Sequence, residues 1–347
     1  MMKATKKRLW WGLGTGAALG VAGICASHAT ARYLVRLALE REAPKGMKRQ
    51  RTKLRGGALG EDAERLLTEA AKRLEEKRPK RVELIGSDGA RLVGHWLTCE
   101  NPKRAVIAMH GWRSNWSRDF GSIADFWLEN GCNVLFAEQR GQNDSAGEYM
   151  GFGLLERHDC RDWAYWAERE TEGKLPIQLA GISMGATTVL MASGLELPRS
   201  VRGIMADCGF TSPGAIWKHV VERNLHVPFG LYAAAADGMC QKRIRMRPLE
   251  YSAVDALKVN RIPVLFIHGS DDRFVPVEMT YENYKSCAAP KRLFIVPGAN
   301  HGMSYYLDRE GYQRNTLEFW AETERGEKEA DAWSPNVTEN PKNEKIQ

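Results

Sequence analysis

Six short runs rich in aliphatic and β-branched residues punctuate the chain: RAVIAMH (104–110), NVLFAEQ (133–139), PIQLAGI (176–182), VRGIMAD (201–207), PVLFIHG (263–269) and KRLFIVPG (291–298). Each is apolar at consecutive positions rather than at every second one, the pattern of strands covered on both faces. The stretches between them have helical texture, so the fold predicted is α/β with a mostly parallel sheet and helices on both faces. Ahead of these runs, RVELIGSDGARLVGHWLTC carries two apolar segments around Gly86-Ser87-Asp88-Gly89, which reads as a β-hairpin. The hairpin brings the expected sheet to eight strands.

Between the sixth and seventh strands, residues 210–260 form a longer connection than one crossover helix needs. GAIWKHVVERNL and GLYAAAADGMCQKRI within it are helical in texture, and the region is expected to be a small helical cap. Residues 61–78, EDAERLLTEAAKRLEEKR, read as an exposed amphipathic helix. The tail from 326 to 347 is polar and expected to be disordered. The organisation expected is therefore an N-terminal anchor over 1–31, a basic linker and amphipathic helix over 32–81, an α/β domain over 82–325 and the tail.

The N-terminal segment starts with Lys3, Lys6, Lys7 and Arg8, and no charge follows from Leu9 to Ala26. That length is at the lower limit for crossing a bilayer, and Trp10 and Trp11 suit an interface. An uncleaved signal anchor in a membrane is expected. The alternative is a secreted protein released by cleavage at Ala29-Thr30-Ala31. Basic residues on both flanks leave the side of the membrane open. Gly12, Gly16 and Gly20 recur every four residues, a spacing that allows self-association of two such helices. GLGTGA at 12–17 is not read as a nucleotide loop, because no strand precedes it.

Charge sharpens this division. The formal net charge of the 347 residues is +7, but residues 1–55 hold 13 Lys and Arg against 2 Glu, so the remainder is mildly acidic. The folded body is not expected to bind nucleic acid. Hydrophobic residues make up 43% of the chain, enough for a large core. The 7 cysteines, at 25, 99, 132, 160, 208, 240 and 287, form no C-x-x-C pair; they read as free thiols rather than a zinc site or disulfide framework.

The candidate chemistry lies at strand ends. LAGISMGATT (179–188) places Ser183 between Gly181 and Gly185, at a strand-to-helix turn. A serine hydroxyl needs a base and oxyanion donors to act as a nucleophile. A sharp turn exposes its oxygen, small neighbours relieve crowding, and the following helix aims amides at developing charge. His110-Gly111 ends the first of the six runs, so the amides of Trp112 and Met184 are the candidate oxyanion hole. HGSDDRFVP follows the seventh strand with Asp271 and Asp272, and Asp207 ends the sixth; these are the rival acids. GANHGMS follows the eighth strand and presents His301 as general base and then general acid. His110 and His268, each before a glycine, read as structural. Phe210, Trp217 and Tyr305 are placed at the substrate pocket.

The order Ser183, acid, His301 resembles that of α/β-hydrolases. Over about 82–322 the chain is similar to the membrane-anchored bacterial branch grouped with serine-aminopeptidase-like and lysophospholipase-like sequences. The resemblance implies the α/β-hydrolase fold with an antiparallel second strand. Its HG-x-x-D-x-x-VP pattern, fixed by Gly269, implies Asp272 as the acid. EQRGQNDSAG (138–147) resembles the family's D-x-RG-x-G-x-S-x-G turn, with Glu138 and Asn143 as departures. The activity implied is that of a serine hydrolase acting on a carboxylic ester or thioester. An amide or peptide substrate is the first alternative, and an inactive binding or scaffold protein the second. Neither a metal nor an organic cofactor is expected.

Overall fold

The computed structural model describes residues 25, 27–42, 61–224 and 226–324. Its centre is an eight-stranded sheet in the order β1-β2-β4-β3-β5-β6-β7-β8. The strands are β1 (Lys80–Ile85), β2 (Arg91–Leu97), β3 (Arg104–Met109), β4 (Cys132–Glu138), β5 (Ile177–Ile182), β6 (Val201–Asp207), β7 (Val264–Gly269) and β8 (Lys291–Val296). β2 runs antiparallel to β1 and β4, and β3 to β8 are parallel. Side chains of β3 and β4 are buried throughout, whereas those of the edge strand β1 alternate between exposed and half-buried. Burial on both faces therefore accompanies the runs that showed no alternation.

Helices cover both faces. In chain order they are α1 (27–39), α2 (Glu61–Glu76), α3 (Trp116–Phe120), α4 (Ala124–Glu129), α5 (Glu156–Glu170), α6 (Met184–Ala192), α7 (Pro213–His219), α8 (Ala233–Ile244), α9 (Ala253–Val259), α10 (Val277–Ser286), α11 (Ser304–Leu307) and α12 (Arg309–Thr323). One core layer packs Trp163 of α5 and Val189 of α6 against the sheet. The other packs Phe120 of α3, Trp127 of α4 and Trp320 of α12 against the opposite face.

The strand order fixes where a site can form. From β3 the chain moves outward to β4 on one side, and from β5 it moves outward to β6 on the other. β3 and β5 are neighbours, so their carboxyl ends flank the point where the winding reverses. Connections there diverge and leave a crevice.

Three boundaries differ from expectation. Residues 32–42 are not a linker: α1 runs through residue 39, with Ala31, Val35, Leu37 and Leu39 buried. Apolar residues at 31, 35 and 39 repeat at helical spacing and face the core, while Arg32 and Arg36 stay solvated on the outer face. α2 is likewise docked rather than free. Ala70 lies so close to α3 that a β-carbon on Gly121 would come within 2.6 Å of its backbone. Arg118 pairs with Glu64 at 2.7 Å across this contact. The cap is confined to α7, a π-turn at Val220–Asn224, a 3-10 turn at Phe229–Leu231, and α8. α9 returns to pack on α6 and α10.

Residues 1–24, including the expected apolar anchor and its glycine face, lie outside the described residues, as does the tail from 325. No helix among the described residues is long and apolar enough to cross a membrane. The seven cysteines are free thiols, five of them buried.

Candidate active site

Ser183 is the residue between β5 and α6, with φ 58° and ψ −119°. A non-glycine residue in this region is strained and persists only where its surroundings hold it. Here the Ser183 amide donates to Asp207 O at 2.8 Å, and Thr187 N donates to Ser183 O at 3.1 Å to begin the helix. The flanking glycines have a steric cause. A β-carbon on Gly185 would sit 1.8 Å from Met109 O, and one on Gly181 would sit 2.2 Å from Gly185 O. The elbow therefore packs directly on the end of β3.

The three separated side chains converge. His301 Nε2 lies 2.9 Å from Ser183 Oγ, and His301 Nδ1 lies 2.6 Å from Asp272 Oδ2. A carboxylate facing Nδ1 keeps the proton on that nitrogen, which leaves Nε2 to accept from the serine hydroxyl. The other carboxylate oxygen, Asp272 Oδ1, accepts from the amides of Phe274 and Val275, each at 2.9 Å. Burial works to raise the Asp272 pKa. The His301 charge and bonds from His268 and His301 outweigh it, so the carboxyl is held well below the usual range. Asp272 is thus fixed as an anion facing the imidazole. The Phe274 ring meets that imidazole edge-on at 4.9 Å.

The rival acids lie elsewhere. Asp207 accepts from Ser304 Oγ at 3.1 Å, and burial pushes its pKa up to about 6. Asp271 accepts from Ser270 Oγ at 2.8 Å.

His110 and His268 are buried spacers. His268 Nε2 faces both Val275 O at 2.9 Å and Asp272 Oδ2 at 3.2 Å, while Nδ1 takes Thr280 Oγ1 at 2.7 Å. Its ring ties the acid's loop to α10. His110 Nδ1 donates to Gly111 O at 2.8 Å, and its Nε2 accepts from Gln139 N at 3.1 Å. Burial lowers the His110 pKa, which suits a neutral ring in this role.

Trp112 and Met184, the candidate oxyanion donors, both adjoin the serine. Met184 opens α6, where the first amides have no partner within the helix. Trp112 follows Gly111, whose amide donates to Asp119 Oδ2 at 2.7 Å. The Trp112 ring nitrogen donates to Ala38 O of α1 at 2.9 Å.

Two cavities meet at Ser183. One is lined by apolar side chains from α1, the cap and Phe152, with no charged residue in the lining among the described residues. Phe210 and Trp217 line it, as expected. Tyr305 does not: it packs on Tyr312 at 5.2 Å and accepts from Gln313 at 2.9 Å, because α11 and α12 face the other side of the sheet. The second cavity is the more polar of the two, with charged and apolar side chains mixed in its lining. It holds Arg118, Asp119 and His301, with Leu67 of α2 at its edge. The sequence reading missed Asp119, Phe152 and the whole inner face of α1. The spacing of Ala31, Leu34, Val35 and Ala38 was the available signal for α1.

Among solved structures, an esterase of Pyrococcus furiosus matches with a TM-score of 0.59 and 22% identity, over 71% of this chain and 92% of its own. An alpha/beta hydrolase, GrgF from Penicillium sp. sh18, matches with a TM-score of 0.56 and 18% identity, over 70% and 98%. This chain has the α/β-hydrolase fold. An acylaminoacyl peptidase of Pyrococcus horikoshii shares it with a TM-score of 0.53 and 17% identity, over 72% of this chain and 42% of the peptidase. No family model matches the sequence. Uncharacterized protein YqkD of Bacillus subtilis is 27% identical over 231 residues, 67% of this chain and 75% of that protein. Uncharacterized protein YfhR of Escherichia coli is 26% identical over 249 residues, 69% and 79% respectively. Within this fold, the loops that follow β3, β5, β7 and β8 meet at Ser183.

Proposed function

We propose that the protein is a serine hydrolase that cleaves a carboxylic ester or thioester through an acyl-enzyme on Ser183. The observation that carries this is the continuous chain from Ser183 Oγ to His301 Nε2 at 2.9 Å and from His301 Nδ1 to Asp272 at 2.6 Å, ending on an apolar cavity. Ser183 Oγ attacks the carbonyl carbon while His301 Nε2 takes its proton. Asp272 stabilises the resulting imidazolium. Amides of Trp112 and Met184 hold the oxyanion. The imidazolium then returns its proton to the leaving alcohol or thiol, which exits through the polar cavity. Water, deprotonated by His301, attacks the acyl-enzyme and releases the acid.

An ester is favoured over an aminoacyl amide by the electrostatics. Recognition of a free α-ammonium needs an uncommitted carboxylate, and among the described residues the apolar cavity offers no charged group. In the polar cavity, Asp119 already accepts from Gly111 N and Ser114 Oγ. Membrane attachment through residues 9–26 belongs to the same proposal and rests on the sequence alone.

A fluorophosphonate probe tests the assignment. It should label Ser183 stoichiometrically, and Ser183→Ala should lose both labelling and ester turnover with little change in Tm. An unlabelled but folded protein would identify a binding or scaffold role instead.

A further inference from the structure

One wall of the apolar cavity is α1, a helix far from any catalytic loop in sequence. Its inner stripe, Ala31, Leu34, Val35 and Ala38, lines the cavity, while Arg32, Tyr33 and Arg36 are exposed on the outer face. The end of α1 is gripped by the loop that carries the candidate oxyanion donor. Trp112 Nε1 donates to Ala38 O at 2.9 Å. Arg113 donates to Leu37 O and Arg41 O, each at 3.0 Å, and also to Glu40 O. A cation among the last carbonyls of a helix is electrostatically favourable. Arg113 reaches them from a left-handed backbone position, φ 50°. The segment after α1 is sewn to the 145–150 loop: Met150 N donates to Leu39 O at 2.7 Å and Arg41 N to Glu148 O at 2.8 Å. Arg243 of α8 reaches Glu40, the residue after α1, at 3.4 Å, so the cap touches the end of the wall.

We propose that α1 is the specificity wall of the acyl site, and that the group it receives is the medium- or long-chain fatty acyl moiety of a lipid ester. This deepens the serine-hydrolase reading and rests on it. The ligand class follows from the lining. The apolar lining runs over α1, the cap, Phe152, Phe210 and Phe274, more surface than an acetyl group can touch, and among the described residues it presents no charge to orient a functionalised acid. Ser183 and Trp112 border both cavities. An acyl carbonyl at Ser183 therefore points its chain along α1 and its leaving group toward Arg118 and His301. The Trp112–Ala38 bond makes wall and oxyanion loop one unit, so the helix also sets the loop's position.

Burial of each methylene contributes about fourfold to binding in the limit of full desolvation. With the full-length protein and nitrophenyl esters from acetate to laurate, kcat/KM should rise with each added methylene until the cavity is filled. Val35→Trp should lower kcat/KM for decanoate at least tenfold more than it lowers kcat/KM for acetate. Val35→Ala should move the optimum to longer chains. Arg32→Ala, on the outer face, should leave the profile unchanged. An optimum at acetate, or a profile insensitive to Val35→Ala, overturns the proposal even if Val35→Trp fails to fold.

A binding measurement separates this from the catalytic reading. Decanoate titrated into full-length Ser183→Ala should bind, and Val35→Trp in that background should weaken binding at least tenfold. Loss of phosphonate labelling in the native protein, with this dependence intact, would remove the hydrolase reading and leave the acyl site standing. Labelling with decanoate binding indifferent to residue 35 would remove the acyl site and leave the hydrolase.

Discussion

On one side of Ser183 stand His301, Asp272 and Gly111, each on a loop leaving a parallel strand and each fixed by hydrogen bonds of 2.6 to 2.9 Å. On the other stand α1 and the cap, held by apolar burial and by a grip on helix-end carbonyls. The first region is positioned by the sheet, whose strand ends cannot move without breaking ladders, on both sides for β3, β5 and β7 and on one side for the edge strand β8. The second is positioned by side-chain packing between helices from distant parts of the chain. Under the proposed function, reactive geometry sits on the stiffest part of the fold, and recognition on the part that substitutions can reshape without disturbing the chemistry.

The largest expected effect breaks the hydrogen-bonded side. Asp272→Asn keeps size but offers an amide to Nδ1. The imidazole then favours the other tautomer, with Nε2 protonated and unable to accept from Ser183. Ester kcat should fall about 10³- to 10⁴-fold, with KM little changed. Steady-state kinetics on a short-chain ester check this. A loss below about tenfold would mean that Asp272 does not orient the base.

A pair of truncations probes the packed side. Removing residues 1–24 spares everything described in α1, and the chain-length profile should stay within about twofold of the full protein. Removing residues 1–42 strips Val35, Leu37 and Leu39 from the core and removes the α1 carbonyls that Trp112 and Arg113 bond. Each buried aliphatic contributes roughly 1.5–3 kcal/mol, so Tm should fall by many degrees and long-chain hydrolysis by at least tenfold. Calorimetry with the same ester series reads both. Equal profiles for the two truncations would show that the wall is dispensable.

The same contrast explains what the sequence disclosed. Strand ends carry local signatures: the glycines around Ser183, the His-Gly pairs, and the histidine loop after β8. Backbone crowding at the elbow demands those glycines, as the contact of Gly185 with Met109 O shows. The strand runs were legible because burial on both faces removes alternation. α1 carried no such mark. Its stripe is only four residues wide in number, and it directly follows an apolar segment that dominates the local reading, so a membrane anchor and linker was the natural expectation. Tyr305 misled for a related reason. An aromatic four residues after His301 is near the site in sequence, but α11 turns it onto α12. Nothing local encodes that turn.

The smallest expected change in turnover comes from Asp207, which sharpens the catalytic side by testing a bystander. Its carboxyl is buried beneath the elbow and bonds Ser304 rather than His301. Burial raises its pKa to about 6, against the lowering effect of the nearby histidines and Ser304. Between the unfolded carboxyl value of about 4 and about 6, the folded chain holds a proton that the unfolded chain has released. Stability therefore falls as pH rises through that window, and the loss is complete above it. Asp207→Asn is neutral at every pH, so it avoids that loss while its amide oxygen still accepts from Ser304. Relative to the native protein it should gain about 2–3 kcal/mol between pH 4 and pH 7.5, read as diverging denaturation midpoints. Its kcat should stay within about threefold, since the imidazole keeps its own carboxylate. A collapse of kcat matching that of Asp272→Asn would instead make the carboxylate at the end of β6 a working member of the catalytic set, and the division between anchored chemistry and bystander acid would fall with it.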